Sequence, residues 1–210
     1  MKKIIFTVLV LSGLLFSACK NGNSGNKPEG QDMNNMHKDT TQQDAAADDK
    51  EVKAISVTYN NVDAKAAASI KEIVDHYLRI KNALATDNGS EAASAAKAME
   101  EAIHKLDKSL LTAEQKKVYD EIEEDLKEHA EHIGKNGDTI GHQREHFSMM
   151  SEDVYDLVKA FGGGRELYHD HCPMYNENKG AMWLSEMKKV KNPYYGAKML
   201  SCGTVEEVIR

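Results

Sequence analysis

The chain has 210 residues, with 34 Asp and Glu against 27 Lys and Arg, nine His, ten Met and three Cys. That length allows one or two modest domains, and the formal charge of -7 without a strongly basic segment argues against electrostatic nucleic-acid binding. Aromatic residues make up 6% and charged residues 29%, and Ala is abundant, which favours helices over a sandwich or barrel of aromatic and β-branched strands.

The first residues read as a targeting segment. Lys2 and Lys3 form a basic start, Ile4 to Phe16 an apolar run of about 13 residues, and Ser17-Ala18 the small side chains that precede a signal-peptidase cut. A bilayer span needs ~20 apolar residues, so residues 1–18 are expected to be a signal peptide and not a transmembrane helix. Phe16-Ser17-Ala18-Cys19 resembles the lipobox of bacterial lipoproteins, with Phe where Leu is usual. The resemblance implies a diacylglycerol on Cys19 and a lipid-anchored protein of the cell envelope. Lys20 after the lipid cysteine favours an outer-membrane, periplasm-facing anchor, with surface display the other option. Residues 20 to about 50 hold two Met, Met33 and Met36, as their only sizeable apolar side chains, too little to offset chain entropy. Residues 19–60 are therefore expected to be a lipidated cysteine and a tether, with Val52 to Tyr59 alternating enough for a short strand or an extended lead-in.

From residue 61 the apolar period becomes helical. Ala66, Ile70, Ile73, Val74, Tyr77, Ile80 and Leu84 predict a first helix over about 64–86, stopped by Thr86-Asp87-Asn88-Gly89-Ser90, which also caps the next. Ala92, Ala95, Ala96, Met99, Ala102, Ile103 and Leu106 predict a second over about 90–108, with small residues that admit a close neighbour. Thr112-Ala113-Glu114-Gln115 reads as a capping box, and Val118, Ile122, Leu126, His129 and Ile133 carry a third helix to Asn136-Gly137. A fourth runs from Thr139 through Ile140, Phe147, Met150, Val154, Leu157, Val158 and Phe161 to the triple glycine 162–164. Short connections make these antiparallel neighbours. The expected architecture is mainly α: an antiparallel four-helix bundle over 61–164, and an irregular Cys- and Met-containing cap over 165–210 that admits short strands.

The cap concentrates the chemistry. Tyr168-His-Asp-His-Cys172-Pro-Met174 places two imidazoles, a thiol and a thioether close in sequence, and Met199-Leu-Ser-Cys202 repeats the Met and Cys pairing. Sulfur ligands select soft ions, especially Cu(I). Pro173 breaks any helix between Cys172 and Met174, and Gly196 and Gly203 free the second arm to fold back. The same two thiols could instead form a Cys172–Cys202 disulfide in an oxidising compartment, with no metal, or act as a thiol redox couple. On the fourth helix, His142, His146 and Met149 share a face, and His146 is a candidate to complete a metal site under the cap, as is His171. His129 and His132 on the acidic third helix read chiefly as solvated surface. Arg144, on a largely apolar face, reads as an anchor donating to carbonyls or carboxylates of the cap. No nucleophile elbow, phosphate loop, H-E-x-x-H pair or haem attachment motif is present, so the chain does not read as an enzyme.

Four motifs then point to a family: the Tyr168 to Met174 string, Gly180-Ala-Met-Trp183-Leu-Ser185, Asn192-Pro-Tyr-Tyr-Gly196 and Met199-Leu-Ser-Cys202-Gly203, with Tyr77 to Leu84 and Gln143 to Ser151 in support. Over about residues 65–207 the chain resembles an uncharacterised domain of unknown function, found as stand-alone bacterial lipoproteins and fused to periplasmic adaptors of Cus-type copper and silver efflux pumps. Cys172-Pro173-Met174 also resembles the core of small heavy-metal modules attached to copper transporters, although Tyr175-Asn176 replaces the His-Pro that often follows. The resemblance implies handling of Cu(I) or Ag(I) by Cys172, Met174, Met199 and Cys202, with an efflux adaptor as partner, and Trp183, Asn192, Pro193 and Gly196 as scaffold.

Overall fold

The computed structural model describes residues 52–210. The expected signal peptide, Cys19 and the tether to residue 51 lie outside the described residues.

Four long helices form the body: α1 (Ala64–Ala85), α2 (Gly89–Lys105), α3 (Ala113–Lys135) and α4 (Ile140–Phe161). Each begins where a side chain or a turn can meet the free N–H groups of a first helical turn. Asp63 accepts from Lys65 and Ala66, and Asn88 accepts from Glu91. The capping box forms as expected, with Gln115 N–H on Thr112 Oγ1 and Thr112 N–H on Gln115 Oε1. The apolar stripes face inward: Ile73, Val74, Tyr77, Ile80 and Leu84 of α1 are fully buried, as are Ala92, Ala95, Ala96 and Met99 of α2. The alanines of α2 leave no bulk between the two helices, so backbones approach and the larger α1 side chains fill the space. Among the described residues, no helix is long and apolar enough to cross a membrane.

The cap contains regular structure. Strands β2 (Leu167–Cys172), β3 (Ala181–Ser185) and β4 (Thr204–Ile209) join β1 (Lys53–Ile55) in one sheet of order β1-β4-β2-β3. β2 is antiparallel to both neighbours, and β1 lies parallel to β4, with Arg210 N–H donating to Ile55 O. Opposite the His169–Asp170 step the register shifts by one residue on β4, at Glu206. That bulge sets Glu207 beside His169 and Glu206 beside His171. After β1 the chain runs to α4, where Thr58 and Tyr59 N–H groups bond the Lys159 and Ala160 carbonyls of its last turn. Those carbonyls have no intrahelical partner of their own.

Two α1 side chains hold β3 to the bundle. Tyr77, wholly buried, accepts the Leu184 N–H at 2.9 Å and shares a hydrogen bond with Ser151 Oγ of α4. One turn on, the buried Lys81 reaches Glu186 at 2.9 Å and Ser185 Oγ at 3.4 Å. Asp170 of β2 is buried opposite Trp183 of β3, and burial pushes its carboxyl up to about 8.

Two expectations follow. Tyr77→Phe deprives the buried Leu184 N–H of its acceptor and should cost about 1–3 kcal/mol in chemical denaturation. Because the folded-state pKa of Asp170 lies above the ordinary aspartate value of 3.8, its contribution is complete below that value and is lost as pH rises towards about 8. Asp170→Asn should therefore flatten the fall in unfolding free energy between pH 4 and 8, at constant ionic strength; an unchanged slope would refute the assignment.

Candidate metal centre

The sulfur residues come from two arms. The first leaves β2 at Cys172, turns at Pro173 and passes Met174 into one turn, Tyr175–Asn178, in which Asn176, Glu177 and Asn178 all have positive φ. A left-handed conformation costs an L-residue roughly 1–2 kcal/mol, so three in succession need support from their surroundings. Tyr175 supplies it: its ring stacks on Tyr194 at 4.3 Å, its carbonyl accepts Gly180 N–H, and Tyr195 Oη donates to the Met174 carbonyl.

The second arm is the loop between β3 and β4. Asn192, fully buried, takes its Leu200 carbonyl through the backbone and its Cys202 carbonyl through Nδ2 at 2.7 Å, while its Oδ1 caps Tyr194 and Tyr195 N–H. The loop is tied to the helices by Arg144, whose Nε donates to Pro193 O at 2.7 Å and whose Nη2 reaches Leu84 O and Asp87 Oδ1. Asp87 in turn accepts Ala197 N–H, and this bond and Arg144 hold its carboxyl below the usual carboxylate range. Arg144 is thus the anchor its position on α4 suggested. Gly196 has φ +54, and a Cβ there would collide with Asp87 Oδ1 and stand 2.6 Å from Arg144 Nη2, so only glycine fits.

The arms bring Cys172 Sγ to 3.5 Å from Cys202 Sγ, and Cys202 Sγ to 3.8 Å from Met174 Sδ. Both cysteines are free; Cys172 is buried and Cys202 half-buried, and Met174 is exposed. Burial and the neighbouring Cys172 push the Cys202 thiol up, so a cation binding there must displace a proton. Two thiols and a thioether at these distances are donors of the type that soft cations prefer. Met199 stands apart from this set: it contributes the carbonyl that accepts Cys202 N–H in the turn, and among the described residues its sulfur makes no hydrogen bond to either thiol.

The two histidines of the expected set lie elsewhere. His171 follows the strand alternation away from its neighbour Cys172 and pairs with Glu206 at 3.2 Å. His146 faces α3, not the cap. Its Nδ1 is 3.2 Å from His129 Nδ1, its ring stacks on His132 at 4.1 Å, and it meets His142 edge-on at 4.6 Å. One ligand atom each from His132, His142 and His146 lies within 4.8 Å of the other two, a group that could hold a metal ion. Burial and the three other imidazoles lower His146 to about 4, so it is a neutral base at pH 7. The meeting of the α3 and α4 pairs is the feature that reading each helix alone misses. The signal was present: His132 and His142 each stand five residues from Gly137 in the short α3–α4 turn, which brings them level in an antiparallel pair.

Residues 73–166 match the model of a family described as "Protein of unknown function (DUF3347)". The matched span includes all four clustered histidines and Arg144 and ends before the thiols. No curated protein and no solved structure matches the chain.

Loss of the Arg144 donors should release the second arm. Arg144→Leu leaves the Leu84 and Pro193 carbonyls short of a partner and is expected to cost about 2–3 kcal/mol. Gly196→Ala should act in the same direction through its collision with Asp87. In both variants Cys202 should react faster with a thiol reagent than in the wild type, while helical circular dichroism at low temperature stays the same; an unchanged rate would show that the clamp does not position the thiol.

Proposed function

We propose that the protein captures a soft metal ion, Cu(I) or Ag(I), with Cys172, Cys202 and Met174, and that it acts as a carrier or sensor in metal homeostasis of the cell envelope and not as an enzyme. The observation that carries this reading is the approach of three sulfur atoms from two arms thirty residues apart in sequence. Dedicated contacts hold each arm, the Tyr175 stack on the first and the Asn192 and Arg144 bonds on the second. Two thiolates and a thioether suit a monovalent d¹⁰ cation, which accepts low coordination numbers and soft donors. Lipidation at Cys19, a periplasm-facing outer-membrane location and delivery to an efflux adaptor belong to the same proposal and rest on the sequence resemblances. A second reading has an observation in its favour: thiols 3.5 Å apart need little movement to form a structural disulfide, which would make the cap a metal-free interaction surface.

The full chain, reduced and anaerobic, is titrated with Cu(I) against a chromogenic chelator. One equivalent should bind, and Cys172→Ser should weaken it by more than about 100-fold, above the usual cost of losing an outer-shell contact. Met174→Leu should weaken binding more than Met199→Leu, because Met174 Sδ lies 3.8 Å from Cys202 Sγ. Failure of the wild type to compete, together with a Cys172–Cys202 bridge in protein isolated without reductant, would replace the copper reading with the disulfide one.

A further inference from the structure

The four histidines on α3 and α4 have no part in the sulfur site. We infer that His132, His142 and His146 form a second, separate metal site, selective for borderline divalent cations such as Zn²⁺, Cu²⁺ or Ni²⁺, with His129 positioning His146.

The argument starts from what a cluster of imidazoles offers. Had this surface only to be filled, aliphatic side chains would serve, since neutral imidazoles bury less apolar area and their protonated forms repel one another. What four imidazoles add is lone pairs. His132 contacts His142 edge-on at 5.8 Å and stacks on His146, and among the described residues its imidazole makes no hydrogen bond, its carbonyl alone accepting from Asn136 Nδ2. The ring contacts of its imidazole are with two other imidazoles.

The spacing suits a metal. Ligand nitrogens on one tetrahedral ion stand about 3.3 Å apart when each metal–nitrogen distance is about 2.0–2.1 Å. The three ligand atoms here lie within 4.8 Å of one another, so closure by up to about 1.5 Å is required. The His132 and His146 rings are close to parallel, at 14°, and their in-plane lone pairs do not converge in that state. Rotation of one ring about its soft terminal torsion turns its lone pair inward. The backbone need not move: Gln143 Nε2 bonds both Ile133 O at the end of α3 and Gly89 O at the start of α2, which fixes the level of α4 against its neighbours.

His129 completes the arrangement from outside. It lies 3.2 Å from His146 Nδ1 through its own Nδ1, and its Nε2 is 3.9 Å from Asp153 Oδ2. The His129–His146 contact is the kind of outer-shell support that orients a ligating histidine, whereas Asp153 stands beyond hydrogen-bond distance of His129. The donor set decides the metal class. Three nitrogens without sulfur are a poor match for Cu(I), and without carboxylate ligands a poor match for Mg²⁺ or Ca²⁺, whereas borderline divalent ions prefer imidazole. His142 and His132 are half-exposed, which leaves a fourth position to water.

The test removes sulfur first, so that its outcome is independent of the copper proposal. The full chain carrying Cys172→Ser and Cys202→Ser is titrated with Co²⁺ and then with Zn²⁺. One equivalent of Co²⁺ should bind, giving visible ligand-field bands without thiolate charge transfer, and Zn²⁺ should displace it. Ring ¹⁵N resonances of His132, His142 and His146 should shift with Zn²⁺ in this same protein, a readout that needs no further substitution. His132→Gln with His142→Gln should abolish binding, while His129→Gln should keep the stoichiometry and weaken affinity by about 10–100-fold. No uptake by the sulfur-free chain, or unchanged affinity in the His132→Gln, His142→Gln variant, would overturn the site.

Discussion

Three acceptors from separate parts of the chain meet at the guanidinium of Arg144: the Leu84 carbonyl at the end of α1, the Asp87 carboxylate in the α1–α2 turn and the Pro193 carbonyl in the loop before β4. A planar, permanently charged fork can serve all three at once, which a lysine could not. The segment it holds has almost no core of its own. Between β3 and β4, only Asn192, Pro193, Tyr194 and Gly196 are buried after Glu186, so this loop must take its order from the bundle. The order then passes along the chain by short steps: Pro193 is fixed by Arg144, the adjacent Asn192 by burial and five hydrogen bonds, and Cys202 by the Asn192 side chain. The second thiol stands at the end of that series.

The first thiol depends on a different support. Cys172 ends β2, whose place is fixed by β3, and β3 hangs from α1 by Tyr77 and Lys81. Beyond it the left-handed turn at 176–178 is locally unfavourable, and the Tyr175–Tyr194 stack joins the two arms over it. Both thiols are thus set by contacts remote from the sulfur atoms. Preorganised in this way, a soft cation would meet donors already in place, and less of its binding free energy would be lost to ordering the loops.

How far the sequence told this in advance depends on the range of the interaction. The helices were legible to within a few residues because their signals are local: a 3.6-residue stripe from Ala66 to Leu84, the Thr112–Gln115 box, the glycine stop at 162. Trp183, Asn192, Pro193 and Gly196 could be marked as scaffold through the family resemblance, and Arg144 as an anchor from its place on an apolar helix face. β1 could be suspected from Val52 to Tyr59, but not its pairing with β4, since a parallel partner more than 150 residues away leaves no trace in either strand. The sheet was the less visible because its strands are three to six residues long. Met199 and Cys202 invited a joint role by proximity in sequence, yet the turn that bonds Cys202 N–H to Met199 O uses the backbone of Met199 and leaves its sulfur out. His146 was assigned to the cap from its helix alone, and only the facing helix shows that its partners are His129 and His132.

The first two turns of α4 explain why both donor sets lie where they do. His142 and His146 are four residues apart and so share one side of the helix, the side towards α3. Arg144 is two residues from each, about 200° round the helix, and with Phe147 it faces the cap, where Phe147 packs on Tyr194 at 5.9 Å. Gln143 lies between them and fastens the same turns to α2 and α3. A short, well-anchored stretch therefore carries the imidazoles on one side and the clamp for the Cys202 arm on the other. The two sites have no side chain in common, and any influence of one on the other has to pass through these turns as a rigid body. Rigid anchoring by Gln143 works against large displacement, which favours two sites of different softness that fill independently over a switch in which one controls the other.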